Sequence, residues 1–444
     1  MVVGDTIAAI ATAPGRGGVA VVRVSGSEAF SVAERLTGKN GEAASSPLVR
    51  LGRIRLPRGG ENAAYPIIDE SVILFFKAPR SYTGEDVVEF QCHGGTVTPR
   101  RVLEACLAAG ARLARRGEFT ERAFLNGKLD YAQAESVLDL VEAKTARAAD
   151  AALEGLSGRR QREVRALYES ALDLSTRLEH ALDINEDELP PDFLPSVNSQ
   201  LSALNSQLRA VLSKATESRL LKSGALVVLA GPPNAGKSSL LNALLEENRA
   251  IVSDVPGTTR DSIEAWIDLG GWPIRLVDTA GLRVTSDEVE GEGVKRSEDL
   301  IAKADVVLML RSCDVEKLRT ENRISQPLNL STSQLLTVTS KCDLGRGEGL
   351  NVSAKTGEGL EDLKRAIVAK LEEKVASSDS GDAPEGDVAA YHEALAALDS
   401  AGEADLVLLA NGVRAAAERL GAAVGATYSS DMLDNLFSRF CVGK

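Results

Sequence analysis

Short runs of β-branched and apolar residues mark the front of the chain: Val19–Val24 (VAVVRV), Ser71–Phe76 (SVILFF) and Asp86–Phe90 (DVVEF), separated by Gly-rich turns. These runs predict strands in a mixed α/β region over residues 1–120. From about Leu129 the spacing changes. Val164, Leu167, Ala171, Leu174, Leu178 and Leu182 recur three and four apart, which predicts an amphipathic helix. The acidic stretch Asp183–Asp192, with two prolines, ends it. A second stripe (Val197, Leu201, Leu204, Leu208, Val211) is too short for a free coiled coil and predicts a helix packed in a bundle.

At Ala225–Ala230 (ALVVLA) the pattern becomes that of a strand buried on both faces, and strands then alternate with helices to about Leu371. Val375–Asp387 is a Ser/Gly/Asp/Pro linker, after which Leu395, Leu398, Leu406, Leu409, Val413 and Leu420 restore helical spacing. No internal repeat is evident. The pattern predicts an α/β domain, residues 222–375, inserted into an α-helical domain built from 121–221 and 376–444, with an α+β domain at 1–120 in front.

Composition narrows the function. Aromatic residues are 4% of the 444, so the cores must be built mainly from Ala, Val and Leu. A net charge of −13 excludes a general polyanion binder. The first 120 residues carry 15 basic and 12 acidic side chains, so a local nucleic-acid surface belongs at the front. Five cysteines without a CxxC pair argue against disulfide scaffolds and Cys-rich zinc sites. No apolar run reaches the roughly 18 residues of a membrane span, and Met1–Ile10 lacks signal-peptide character. A cytoplasmic protein with reduced thiols and no membrane association is expected.

The chemistry begins at Gly231-Pro-Pro-Asn-Ala-Gly236-Lys237-Ser238, which fits GxxxxGK[ST] between a predicted strand and the apolar helix Ser239–Leu245. Asn234, Ala235, Gly236, Lys237, Ser238 and Ser239 are the expected phosphate contacts, with the Lys237 ammonium on the β- and γ-phosphates and Ser238 on Mg²⁺. About twenty residues on, Gly257-Thr-Thr-Arg-Asp261 is either a polar loop or a switch whose Thr259 closes on Mg²⁺. A strand at Ile274–Val277 leads into Asp278-Thr279-Ala280-Gly281, the DxxG element. Ser340-Lys341-Cys342-Asp343 follows another strand, with Ser340 standing where Asn is usual; Asp343 can accept guanine N1–H and N2–H₂, donors that adenine lacks. Ser353, Ala354 and Lys355 complete the base pocket, and the four ordered elements predict GTP binding. Leu282 after DTAG cannot polarise water, and no arginine finger is evident in cis. Asn234 is then either turn chemistry or, with the GTTRD loop, part of a monovalent-cation site near the β–γ bridge.

Four further stretches carry a resemblance: Ala13-Pro-Gly-Arg-Gly-Gly18 with Arg23-Val-Ser-Gly26, Tyr82-Thr-Gly-Glu-Asp86 with His93-Gly-Gly95, Gly117–Asn126 (GEFTERAFLN) with Lys128-Leu-Asp130, and Phe440-Cys-Val-Gly-Lys444. Jointly they resemble the MnmE (TrmE) family of tRNA uridine-modification GTPases. The resemblance implies a folate-binding, dimerising N-terminal domain, a discontinuous helical domain and an inserted G domain that dimerises when K⁺ is bound. It places K⁺ at Asn234, Ser253, Val255 and Thr258, with Ser253 and Thr258 also at the nucleotide, and gives Glu290 the role of positioning water. Arg23, Glu89, Lys128 and Lys444 match the family's formyl-tetrahydrofolate contacts, and Cys441 is implied in the modification. Cys92 stands in QCHGG where QGHGG is more frequent. His93 beside Gly-Gly is a proton carrier or a structural turn residue.

The expected function is that of a K⁺-stimulated GTPase, a homodimer acting with an FAD-dependent MnmG-like protein in a heterotetramer on tRNA. An aminomethyl or carboxymethylaminomethyl group would be added at C5 of the wobble uridine, with carbon from 5-formyl- or 5,10-methylene-tetrahydrofolate. An Era-type ribosome-assembly GTPase shares GTTRD and DTAGL but lacks the PGRGG and FCVGK stretches and would carry a KH-like module. A folate enzyme of the aminomethyltransferase type leaves the inserted G domain without a purpose.

Overall fold

A computed structural model describes residues 4–38, 48–56, 66–184, 188–247, 264–278, 299–313, 335–376, 387–400, 405–424, 433 and 436–444. Contacts divide the chain into two compact units, Met1–Leu138 with Thr427–Lys444, and Asp139–Ala426.

In the first unit β1 (Ile7–Ile10), β2 (Val19–Ser25), β3 (Leu48–Arg55), β4 (Ile67–Phe76), β5 (Val87–His93) and β6 (Arg112–Leu113) form one sheet in the order β3-β4-β5-β2-β1-β6. Neighbours are antiparallel except β1 with β6. Along β2, Ala20, Val22 and Val24 pack with Val32 and Leu36 of α1 (Ala29–Thr37) and Val102 and Ala105 of α2 (Thr98–Ala108). The period of two turns Val21 and Arg23 to the other face. A smaller core lies on Ile7, Ala9, Ala114 and Phe119, the last on α3 (Glu118–Leu125).

An ion network ties α3 to the start of the chain. Buried Glu118 accepts from Arg112 Nη2 at 2.5 Å, from the Arg115 amide at 2.8 Å and from Arg122 Nη2 at 3.2 Å, while Arg122 also reaches Asp5 at 2.6 Å. Burial alone would raise the Glu118 pKa; the three donors outweigh it and hold the carboxyl at about 2. The carboxylate therefore stabilises the unit fully above the unfolded-state pKa of about 4.3, and that contribution is lost as pH falls toward 2. Glu118→Gln is expected to destabilise this unit by about 1–3 kcal/mol at pH 7, since a neutral amide replaces the charged acceptor of three hydrogen bonds while Arg112 and Arg122 keep Asp5. It should also flatten the acid limb of stability over that window, as read by urea unfolding at a series of pH values.

In the second unit α4 (Tyr131–Glu142) enters from the first, followed by α5 (Ala146–Leu156), α6 (Arg159–Leu182) and α7 (Phe193–Ser223). β7 (Ala225–Ala230), α8 (Lys237–Glu247), β8 (Glu264–Leu269), β9 (Trp272–Asp278), β10 (Val306–Ser312), β11 (Leu335–Ser340), β12 (Leu350–Val352) and α9 (Leu360–Ala376) follow. The sheet order is β12-β11-β10-β7-β9-β8, parallel except that β8 runs antiparallel to β9. Every residue of β7 is buried, as a central parallel strand covered on both faces requires. α10 (Asp387–Asp399) and α11 (Leu406–Val424) return to pack on α6 and α7, so the α/β domain is inserted in a helical one.

α7 serves two cores. Val197 to Ala215 face the bundle, whereas Leu220 and Leu221 belong to the core under β7 and β9. It ends at Gly224 (φ +74°), where an added Cβ would lie 2.2 Å from the Trp266 ring, so no side chain fits between helix and strand. The β8–β9 turn is seated on α5 and α7. Thr145, the N-cap of α5, donates to Gly271 O at 2.7 Å, and the Arg147 guanidinium lies 4.1 Å from the Trp272 ring centroid while pairing with Glu217 of α7. Among the described residues no helix is long and apolar enough to cross a membrane.

Candidate functional site

β7 delivers the chain into the Gly231–Gly236 loop, and α8 starts at Lys237. Gly231 has φ +141° and its absent Cβ would lie 2.4 Å from Leu310 O, so the turn hugs β10. Asn234 also takes a left-handed φ of 62°. Lys237 is buried and donates to Gly231 O at 2.8 Å and Pro232 O at 2.9 Å, which holds its ammonium over the loop. Ser238 Oγ donates to Asp278 Oδ2, from the end of β9, at 2.7 Å. A hydroxyl and a buried carboxylate side by side are the hard oxygen donors that Mg²⁺ takes, so the residues present fit that ion.

The base-loop residues come to the same edge of the sheet. Ser340 Oγ, buried at the end of β11, donates to Ala235 O at 2.6 Å, with Arg311 O a second acceptor at 3.2 Å. A serine in the usual asparagine position thus still ties this loop to the phosphate loop. Lys341 adopts φ 60°. Ser353 Oγ accepts from the Thr356 amide at 3.3 Å and donates to Asp343 Oδ1 at 2.7 Å, which orients an otherwise exposed carboxylate. Ala354 and Lys355 follow in the same loop. Ser253, Val255, Thr258, Thr259, Thr279, Ala280, Gly281 and Glu290 lie outside the described residues.

In the first unit Arg23 and Glu89 are direct cross-strand partners on β2 and β5, with Arg23 Nε donating to Glu89 Oε1 at 2.8 Å. The guanidinium lies 5.4 Å from the Tyr82 ring and 5.6 Å from that of Phe119. The Tyr82 hydroxyl meets Thr120 Oγ1 at 2.8 Å, and burial pushes its pKa up. The segment Phe437–Lys444 straps across the neighbouring loops. Gly117, at φ +66°, leaves room for Phe437 O; Val442 bridges Arg116; and Gly443 (φ +104°) abuts Ile10 O, where a Cβ would stand 2.2 Å away. The strap sets Lys444 half-buried near Arg23, and burial and that like charge both lower its ammonium pKa. Lys128 Nζ donates to Pro79 O at 3.1 Å, and among the described contacts none joins it to the other three.

Of the cysteines, Cys441 is exposed and the other four are buried. Burial, reinforced by the Asp69 charge, pushes the Cys92 thiol up to about 11, which leaves it unreactive near neutral pH. His93 Nδ1 meets Asp69 Oδ1 at 2.7 Å, and Asp69 Oδ2 also accepts the His93 amide at 2.8 Å, a pairing that fixes the strand end. Tyr82, Phe119 and Asp69 are the residues that local reading of the sequence left without a role. The first two sit inside the YTGED and GEFTER stretches, but only the fold shows that their rings flank Arg23.

A family model described as the GTP-binding protein TrmE N-terminus matches residues 6–128, and one described as the MnmE helical domain matches residues 131–441. The tRNA modification GTPase MnmE of Azoarcus sp. is 43% identical over 458 residues, covering 99% of this chain and 98% of that one. Its namesake in Symbiobacterium thermophilum is 41% identical over 465 residues and covers 99% of each chain, and that of Heliobacterium modesticaldum is 40% identical over 475 residues and covers both completely. Both family models and relatives that align along essentially the whole length make this chain a member of the MnmE family.

Proposed function

We propose that the chain hydrolyses GTP to drive modification of tRNA at C5 of the wobble uridine, as a cytoplasmic homodimer joined in a heterotetramer with an FAD-dependent MnmG-like partner. The observation that carries the GTPase part of this reading is the linkage through Ser340, whose hydroxyl on Ala235 O holds the Asp343 loop against the phosphate loop, and the tRNA part is supported by full-length similarity to proteins named tRNA modification GTPases. In this reading Lys237 and the loop backbone bind the phosphates, Asp343 reads guanine, and Ser238 with Thr259 and Asp278 holds Mg²⁺. The metal, when bound, neutralises charge on the phosphate oxygens. Arg23, Glu89, Lys128 and Lys444 bind a tetrahydrofolate that supplies the one-carbon unit. The Arg23–Glu89 pair suits a ligand with both an anionic tail and an amide edge. Cys441 is exposed beside this group and takes part in the modification. Nucleoside analysis of tRNA from cells lacking the protein tests the whole reading: wobble uridines should lose the aminomethyl-type C5 group, and unchanged tRNA would refute it.

K⁺ at Asn234, Ser253, Val255 and Thr258 would supply the positive charge that a missing arginine finger does not. GTP turnover should rise about tenfold or more in K⁺ over Na⁺ at equal ionic strength, and Asn234→Ala should abolish the difference; equal rates in the two salts would end this assignment. Glu290 orients the attacking water in the same scheme. Glu290→Ala should leave GTP affinity intact while single-turnover hydrolysis in K⁺ falls by roughly 10²-fold. A near-normal rate would remove Glu290 from the mechanism, and a collapse of binding would make its role structural.

A further inference from the structure

A cleft of about 530 Å³ opens in the first unit at the end of β2 where Val19 begins the strand. That volume falls within the roughly 300–1,000 Å³ range of small-molecule sites. Ile10, Ala20 and Leu103 make its floor apolar. Its walls are two glycine-rich loops that lock together: the Gly94 amide donates to Gly18 O at 3.3 Å, and a Cβ on Gly94 would lie 2.0 Å from Gly17 O. Bare backbone can therefore approach a flat ligand from two sides. Arg16 and Arg100 stand exposed at the cleft, each without an ion-pair partner among the described residues, and no carboxylate lines it. An apolar slot flanked by two guanidiniums that no described residue pairs fits a heterocycle joined to phosphate on either side.

The cleft is separate from the Arg23–Glu89 pair. Ala20 faces the α1 and α2 side of the sheet and Arg23 the other, about 10 Å further along the strand. The strap nevertheless links them, because Val442 lines the cleft while Lys444 lies near Arg23. Cys441 is the exposed residue next to Val442.

We infer that this cleft receives one nucleotide of the RNA substrate, its base extruded against the apolar floor and its flanking phosphates on Arg16 and Arg100. The inference rests on the tRNA reading above and deepens it, since it seats the acceptor base against Val442, two residues along the same strap from Lys444 at the one-carbon donor's site.

The test uses the full chain with Arg16→Gln/Arg100→Gln, a change at two exposed residues. The probe is an anticodon stem-loop RNA with uridine at the wobble position, titrated by fluorescence anisotropy over a range of salt. Affinity should fall about tenfold or more, and the slope of log K against log salt should shrink by about 1.4 for two single-strand phosphates. Binding of 5-formyl-tetrahydrofolate and GTP turnover should not change. A second measurement replaces the wobble uridine with 4-thiouridine, and the photocrosslink should map to residues 14–17 or 94–96. Unchanged RNA affinity, or a crosslink elsewhere, would overturn the assignment. So would lost folate affinity with RNA binding intact, because the arginines would then serve the folate's anionic tail. If the wild-type chain itself bound no RNA, the tRNA reading would fail and this proposal with it.

Discussion

Asp343→Asn is expected to weaken GTP binding by about 10²–10⁴-fold, because two charge-assisted hydrogen bonds to guanine, each contributing about 1.5–3 kcal/mol, are lost. The same variant should bind xanthosine triphosphate better than the wild type does. The direction follows from Ser353. Its hydroxyl accepts from the Thr356 amide and donates to Asp343 Oδ1, so the replacing amide is steered to put oxygen at that position and nitrogen at the other. The nitrogen then offers a donor to the xanthine C2 carbonyl, where the wild-type carboxylate repels it. Nucleotide competition against labelled GDP measures both affinities. A variant that keeps the wild-type preference for guanine over xanthine would show that Asp343 does not read the base.

Ser238→Ala should lower GTP turnover by roughly 10²–10³-fold while nucleotide affinity falls far less. Lys237 and the loop amides would remain to hold the phosphates, whereas the hydroxyl 2.7 Å from Asp278 would be gone and the metal would lose a direct oxygen ligand. A magnesium titration separates this from simple misfolding: the half-saturating Mg²⁺ concentration for turnover should rise in the variant. Turnover within threefold of wild type at saturating Mg²⁺ would show that Ser238 is not a metal ligand.

The elements that local periodicity revealed are those whose burial comes from one unbroken face. β7 reads as a continuous apolar run because sheet neighbours and helices cover both its sides, and α6 reads as a stripe because one face meets the bundle throughout. α7 is legible to Val211 and then obscure. Its contact surface passes from one core to another, so Leu220 and Leu221 fall out of step with the stripe that Val197 begins. β3 alternates half-buried and exposed residues over most of its length, as an edge strand does, and carries too little apolar signal to stand out. At the candidate site the phosphate loop was legible because its spacing is local. The Ser340–Ala235 contact spans about a hundred residues of chain and the packing of Phe437 on Gly117 more than three hundred, so neither leaves any local trace.

The double membership of α7 has a mechanical consequence. A straight helix of 31 residues is roughly 46 Å long at 1.5 Å per residue. One end is rooted beside β7, which leads directly into the phosphate loop, and the Trp266 ring fills the space at Gly224 where slack would otherwise collect. A tilt of only about 5° at that root swings the opposite end through about 4 Å over such a length. α7 thus has the proportions of a lever arm, with its short side in the nucleotide domain and its long side in the helices, and a displacement too small to disturb the sheet would become, at Val197, nearly the width of a side chain.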